Sequence, residues 1–266
     1  TDDHRFGIAS LDGEGRMVRR ASLPIVFTAA AALAWPAAAQ PPPAVDLALV
    51  VAVDASGSID EDEFRLQKEG IGLAVPSKDV LSAIQGGITR RIAIAYVEWG
   101  SPGAPQAAVG WTIVKDQASA EGFAAAILAA PRTRQSYNAI GDAIALGTVM
   151  IKDCPCRPTR AVIDISGDNR DMNSVSPAPL AREAAVAAGI TVNALAILQN
   201  EMKGPSGKPL LVETYEREVI GGQGAFAMAA RERADFARAL RQKMVREIAG
   251  APGGQGNMAQ RSDSQN

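Results

Sequence analysis

The sequence predicts an α/β fold: a doubly wound, mainly parallel central sheet with helices on both faces. Three observations predict it. Residues 46–53 and 160–165 are near-continuous apolar runs without alternation, the pattern of strands buried on both faces. Stretches with helical apolar spacing alternate with short apolar runs along the chain, as in parallel sheets built from βαβ units. Both long runs end in oxygen-rich loops, Asp54-Ala-Ser56-Gly-Ser58 and Ser166-Gly-Asp168-Asn169. In open α/β sheets, ligands sit at the carboxyl ends of strands near a switch point.

The elements follow in order. After the strand over 46–53, the spacing of Phe64, Ile71 and Val75 among charged residues predicts a helix over 60–75, capped by Asp60 or a neighbour. Strands are expected over 91–99 and 107–114. The Gly- and Pro-containing link between them marks a hairpin. Helices are expected over 119–130 and 138–151, then the strand over 160–165. An Ala-rich helix over 179–188 is closed by Gly189, a C-cap signal. A strand over 191–198, a short helix over 213–220, a last strand over 225–228 and an amphipathic helix over 233–248 complete the domain. No internal repeat is present.

The N-terminus carries a separate signal. Met17, Arg19 and Arg20 precede an apolar run over 23–35, then Pro36 and Ala37-Ala-Ala39. A basic start, a short apolar core and an A-x-A end make a secretory signal peptide. The run is too short for a membrane span, which needs about 20 residues, and Pro24 and Pro36 interrupt it. The expected organisation is an upstream extension over 1–16, a signal peptide over 17–39 and a Pro-rich leader over 40–44. A domain over 45–249 and a disordered Gly-, Gln- and Ser-rich tail over 250–266 follow. The expected localisation is periplasmic or secreted, with no membrane span in the mature chain.

Composition excludes several function classes. The chain has 27 basic and 29 acidic side chains and a net charge of −2, so it carries no electrostatic footprint for nucleic acid. Its single histidine, His4, precedes the export signal. A chain cleaved after Ala39 therefore has no histidine, which removes Ser-His-Asp and Cys-His catalysis and His-ligated zinc. The expectation is a protein that is not an enzyme.

The two oxygen-rich loops carry the chemistry. Carboxylates and hydroxyls are hard ligands that select Mg²⁺, Mn²⁺ or Ca²⁺. Gly57 lets the first loop fold tightly enough for Ser56 and Ser58 to face one point. Alone, the Asp54–Ser58 stretch would also serve as a helix N-cap loop. Its pairing with a second apolar strand ending at Asp168 favours a metal site. The loop is expected to be exposed and to build no core.

These residues resemble the von Willebrand factor A family. Asp54, Ser56 and Ser58 are similar to its D-x-S-x-S metal-ion-dependent adhesion motif, and Asp168 to the Asp after its fourth strand. Asn138-Ala-Ile-Gly141-Asp-Ala-Ile144 resembles the family's T-x-x-G-x-A-[IL], with Asn138 where the family has Thr. Ser136, two residues earlier, is a substitute candidate. The resemblance spans about 45–248 and looks closest to an exported bacterial subgroup of unestablished function. Further likeness to that subgroup lies in Val97-Glu-Trp99, residues 162–168 and residues 220–226.

The resemblance implies an exported, divalent-cation-dependent, adhesion-type protein-binding module. Asp54, Ser56, Ser58, Asn138 and Asp168 would hold Mg²⁺ (or Mn²⁺ or Ca²⁺), directly or through water. A protein partner's acidic side chain would complete the shell. The alternatives are a metal-assisted phosphoesterase and a structural domain with a degenerate metal site. The shortage of carboxylates for a two-metal centre weighs against the phosphoesterase.

Other signals are weaker. Cys154-Pro-Cys156 forms a loop disulfide, a reduced pair or a bond to another chain. Glu98 and Trp99 are expected on an edge-strand surface, packing against the hairpin. Gly221-Gly-Gln-Gly224 reads as a turn, since it does not fit G-x-G-x-x-G.

Overall fold

The computed structural model describes residues 41–57, 59–198, 202–231 and 235–250. The expected upstream extension, the export signal, Ser58 and the tail from 251 lie outside the described residues. Among the described residues are six strands and seven helices, and no helix is long and apolar enough to cross a membrane.

The strands are β1 (Ala44–Asp54), β2 (Ile92–Trp99), β3 (Gln106–Val114), β4 (Arg157–Gly167), β5 (Thr191–Ile197) and β6 (Ala227–Ala230). They form one sheet in the order β3-β2-β1-β4-β5-β6. Only the β2–β3 pair, the expected hairpin, is antiparallel. The helices are α1 (Glu61–Ala74), α2 (Lys78–Gln85), α3 (Gln117–Ala129), α4 (Ile140–Lys152), α5 (Ala178–Ala187), α6 (Leu210–Glu218) and α7 (Phe236–Ala249). The doubly wound α/β class expected from the sequence is the class observed.

β1 lies in the middle, and its apolar run is explained by burial on both faces. Leu47, Leu49, Val51 and Val53 point into a core shared with α1, α2, α3 and α7. Val50 and Ala52 point into a second core shared with α4, α5 and α6. Each residue from Leu47 to Asp54 is fully buried. Side chains must alternate between the two cores, so an unbroken apolar run over 47–53 is what this place requires.

Most boundaries fall within a few residues of the sequence reading. α2 was not anticipated; it starts at the Ser77 N-cap, whose hydroxyl accepts from Val80 N at 3.5 Å. The helix expected over 213–220 begins earlier, at Leu210 after Pro209. The last strand lies two residues later than expected, at Ala227–Ala230. Gly189 has φ +78°, the left-handed conformation that a helix C′ position favours.

One surface expectation is corrected, and the open cysteine alternatives resolve to the loop disulfide. Glu98 and Trp99 are fully buried, not on an edge strand, because β3 pairs outside β2 and takes the edge. Cys154 and Cys156 are joined in a disulfide with Cα atoms 5.1 Å apart, in the link from α4 to β4.

A buried charge cluster sits on the α7 side of the sheet. Lys243 Nζ lies 2.5 Å from Asp164 Oδ1 and 2.6 Å from Glu247 Oε1, with all three side chains buried. Asn193 Nδ2 donates to Glu247 Oε1 at 2.9 Å. One ammonium therefore serves two carboxylates. Burial pushes the Glu247 carboxyl up to about 7, and the Asp164 charge adds to the rise. The neutral acid is thus favoured in the fold relative to the unfolded chain. Between about pH 4.5 and 7 the folded state holds a proton that the unfolded state releases, so stability falls as pH rises through that window. Glu247→Gln is expected to flatten that fall and to add about 2–3 kcal/mol at pH 8. Urea unfolding of both proteins from pH 4 to 8 checks this; an unchanged slope in the variant overturns it.

Candidate functional site

β1 leads through α1 and α2 to β2 on one side, whereas β4 leads through α5 to β5 on the other. The carboxyl ends of β1 and β4 therefore diverge at the topological switch point, where an open α/β sheet forms a crevice. Asp54 is the last residue of β1 and Asp168 immediately follows β4. Val53 pairs with Ser166, so the two acids emerge from adjacent strands at nearly the same level.

Asp54 is fully buried, which corrects the expectation of an exposed loop. The cause is the cover over β1. Gly100 packs so closely on this turn that an added Cβ would lie 3.2 Å from Ser56 Cα and 2.8 Å from Tyr137 O. Asp54 Oδ1 accepts from Ser56 N at 2.8 Å, while the buried Oδ2 accepts no hydrogen bond from the described residues. Burial pushes the Asp54 carboxyl up to about 7, against hydrogen bonds from Ser56, and the Asp168 charge adds to the rise.

Asn138 stands two residues before α4 and is buried, with an Oδ1 that accepts no hydrogen bond. Its backbone is fixed from two sides. Asn138 O accepts from Met172 N at 2.8 Å, and the next amide, Ala139 N, donates to Gly100 O at 2.9 Å. Ser136 is exposed, and its Oγ lies 3.1 Å from Ser101 Oγ at the surface. Of the two candidates for the Thr position, Asn138 carries the buried, unsatisfied acceptor. The structure thus gathers Asp54, Ser56, Asn138 and Asp168 at one end of the sheet, and Ser58 lies outside the described residues.

Several supporting residues escaped the sequence reading. Arg132 Nη2 donates to the carbonyls of Ala55 at 3.3 Å, Ser56 at 3.2 Å and Ile59 at 2.7 Å. Its Nη1 reaches Glu61 at 3.0 Å, and its guanidinium stacks 4.5 Å from the Phe64 ring. One side chain thereby clamps the whole turn after β1 through its fork of donors. Asp142 Oδ2 accepts from Gly103 N at 2.7 Å and Val175 N at 3.0 Å, and Oδ1 from Ser176 N at 3.0 Å. Asp171 Oδ1 accepts from Gly141 N at 3.1 Å and Oδ2 from Ala178 N at 3.0 Å. A Cβ on Gly141 would lie 1.8 Å from Ser176 O, so the loop after β4 docks directly on the start of α4. Asp142 and Gly141 were visible inside the Asn138–Ile144 motif. Arg132 had no local signal, because its partners lie over seventy residues away.

Tyr215 closes the floor of the site. It is fully buried, and its hydroxyl donates to Asn169 O at 2.8 Å. Burial pushes its phenol well above the ordinary value, and the Asp54, Asp168 and Asp171 carboxylates add to the rise. The group stays neutral and adds no negative charge beside the two acids.

The donor set fits a hard divalent cation. Asp54 Oδ2 and Asn138 Oδ1 are buried acceptors without donors, and the Asp168 carboxylate lies close enough to Asp54 to raise its carboxyl. Among the described residues, no group of three or more His, Cys, Asp or Glu could hold a metal. An ion here would therefore depend on hydroxyl and amide oxygens as much as on carboxylates.

Residues 44–252 match the family described as "Protein of unknown function (DUF1194)". No curated protein sequence matches the chain. Among solved structures, a von Willebrand factor type A protein from Catenulispora acidiphila is similar at 16% identity and TM-score 0.52, over 77% of this chain and 43% of that one. The pilus adhesin SpaC from Lactobacillus rhamnosus GG is similar at 13% identity and TM-score 0.51, over 79% of this chain and 31% of that one. Proximal thread matrix protein 1 from the mussel byssus is similar at 13% identity and TM-score 0.57, over 78% of this chain and 49% of that one. The chain spans less than half the length of each. At these identities the likeness shows the fold, which is von Willebrand factor A-like.

The buried, half-satisfied Asp54 carboxylate yields a prediction for the metal-free protein. Replacing it with a neutral isostere removes charge repulsion with Asp168 and the cost of a poorly solvated anion. With chelator at pH 8, Asp54→Asn is expected to raise Tm by about 4–8 °C, corresponding to about 2 kcal/mol in a domain of this size. Differential scanning calorimetry checks it; a lower Tm in the variant means the carboxylate is compensated without an ion.

Proposed function

The chain belongs to the DUF1194 family, and on that premise we propose that it is an exported, divalent-cation-dependent protein-binding module. Asp54, Ser56, Ser58, Asn138 and Asp168 hold the ion, Mg²⁺ or the related Mn²⁺ or Ca²⁺. A partner's acidic side chain completes its shell. The observation that carries this reading is the unsatisfied Asp54 Oδ2, buried at the switch point beside a second carboxylate and the unsatisfied Asn138 Oδ1. An ion bound between these groups answers both the repulsion and the missing hydrogen bonds. The fold's occurrence in a pilus adhesin and in a byssus matrix protein is consistent with a binding role.

Each residue has a part. Asp54 and Asp168 supply negative charge, and Ser56 and Ser58 supply hydroxyl oxygens on a turn held open by Arg132. Asn138 supplies an amide oxygen where a compact hydroxyl would leave more room. An octahedral ion held on one side by protein oxygens keeps positions on the other side for water or a partner's carboxylate. Export follows from the signal-like segment over 17–39, and N-terminal sequencing of chain secreted by its native host is expected to begin at Gln40.

Calorimetric titration with Mg²⁺, Mn²⁺ and Ca²⁺ tests the site. Asp54→Ala is expected to abolish binding, and parent-like affinity in that variant overturns the assignment. Arg132→Met is expected to weaken the ion by about 10–100-fold, the usual effect of losing a residue that orients ligands. Asn138→Thr is expected to favour Mg²⁺ over Ca²⁺. Mg²⁺ requires near-ideal geometry at about 2.0–2.1 Å, whereas Ca²⁺ tolerates looser shells at about 2.3–2.6 Å. An unchanged Mg²⁺ to Ca²⁺ preference places Asn138 outside the direct ligands.

A further inference from the structure

Glu98 is fully buried near the end of β2, and the proposed ion site gives it no part. Its backbone pairs with Val53, one residue before Asp54. Tyr96, two residues earlier, points into the core shared with α1 and α3, and Glu98 shares that face of the strand. Glu98 Oε2 accepts from Thr133 N at 2.7 Å, and Oε1 accepts no hydrogen bond from the described residues. A neutral oxygen would satisfy a single amide at less cost than a buried carboxylate. The charge at this position therefore calls for a physical reason.

Lys68 reaches the same segment from α1. It is buried, its Nζ donates to Ala130 O, and it lies 5.8 Å from the centre of the Phe64 ring. Burial pushes the Lys68 ammonium below its ordinary value, and the Glu98 charge opposes that fall. Burial pushes the Tyr96 phenol well above its ordinary value; the Glu98 charge adds to the rise and the Arg132 charge opposes it. Lys68, Tyr96, Glu98 and Arg132 thus share one electrostatic neighbourhood. Within it, backbone groups on both sides of Arg132 are held: Ala130 O by Lys68 and Thr133 N by Glu98. Between those anchors, Arg132 extends to the carbonyls of Ala55, Ser56 and Ile59.

We propose that Glu98 and Lys68 are positioning residues of the ion site, fixing residues 130–133 so that Arg132 grips the turn that carries Ser56. The inference rests on the ion-site reading above. Neither side chain is a ligand; both act through Arg132. A guanidinium that serves three carbonyls tolerates little displacement, because hydrogen bonds weaken steeply with poor angles. Arginine is long, and its rotamer freedom must be removed before it can clamp. The Glu61 partner does little of this, since its side chain is 85% exposed and surface ion pairs are weak. The Phe64 ring fixes one face of the guanidinium, 4.5 Å away, and the two backbone anchors aim the rest of the side chain. A charged acceptor makes the stronger bond to Thr133 N, which is the reason for a carboxylate here.

Calorimetric titration of the full chain with Mn²⁺ tests the proposal, with thermal unfolding in chelator as the control for folding. Glu98→Met keeps the length of the side chain and removes both charge and acceptor. It should bind Mn²⁺ about 10-fold more weakly, at the low end for residues that orient ligands. Glu98→Gln keeps an acceptor for Thr133 N and should restore most of that affinity. Glu98→Met combined with Arg132→Met should bind no more weakly than Arg132→Met alone, because both changes undo one clamp. A merely structural role lowers Tm and moves neither the Mn²⁺ affinity of the folded protein nor this coupling. Parent-like affinity in Glu98→Met, no rescue by Glu98→Gln, or additive losses in the double variant each overturn the proposal and leave the ion reading standing. Should Glu98→Met not fold, Lys68→Met frees Ala130 O and carries the same cycle; a similar loss is expected, and parent-like affinity overturns the proposal. No Mn²⁺ binding by the parent, or parent-like binding by Asp54→Ala, overturns the ion reading and this inference with it.

Discussion

Parallel pairing between β1 and β4 is the constraint on which the site depends. The register of Val53 with Ser166 brings Asp54 and Asp168 out of adjacent strands at one end of the sheet. Because β1 is covered on both faces, the carboxylate at its end is held where water is scarce. A carboxylate in that place is costly unless something supplies compensating charge and hydrogen bonds. Ser56 N supplies one bond to Oδ1, and the described residues supply none to Oδ2. Under the proposed function, the demand for a cation therefore arises from the sheet's architecture as much as from the motif.

The same molecule contains a second buried acidic pair that is handled differently. Asp164 and Glu247 share Lys243, so their cation is covalently part of the chain. Beside Asp54 the Tyr215 phenol stays neutral. The clamp residue Arg132 spends its donors on backbone carbonyls of the turn and on Glu61. Fixed charge thus holds the framework, and under the proposed function a diffusible ion completes the site.

The loops around the site are irregular, yet their backbone groups are accounted for. Carboxylates of Asp142 and Asp171 take amides from the loop after β4, from the start of α4 and from Gly103. Buried loops need such partners because they lack ladder bonds. The result is a rigid rim on which Asn138 has little freedom to relocate its amide oxygen. Under the proposed function, rigidity of this kind lets ion binding avoid an ordering cost.

By itself the sequence determined the order of the strands and of every helix except α2, the burial of β1 and β4 on both faces, and the two oxygen-rich loops. Those features are local: apolar runs, Gly and Pro punctuation and the D-x-S-x-S spacing are written within a few residues of each other. It also pointed to Asn138 through the Gly141-Asp-Ala-Ile144 stretch that follows it. Tertiary structure alone decided that Asp54 is buried, that Glu98 and Trp99 are covered by β3, and that Arg132 grips a turn far away in sequence. It alone decided that one Lys243 ammonium is shared by two acids and that Leu210 and Met202 frame a cavity beside Asp168. Burial and charge pairing depend on which distant segments meet, and no window of sequence contains both members of such a pair.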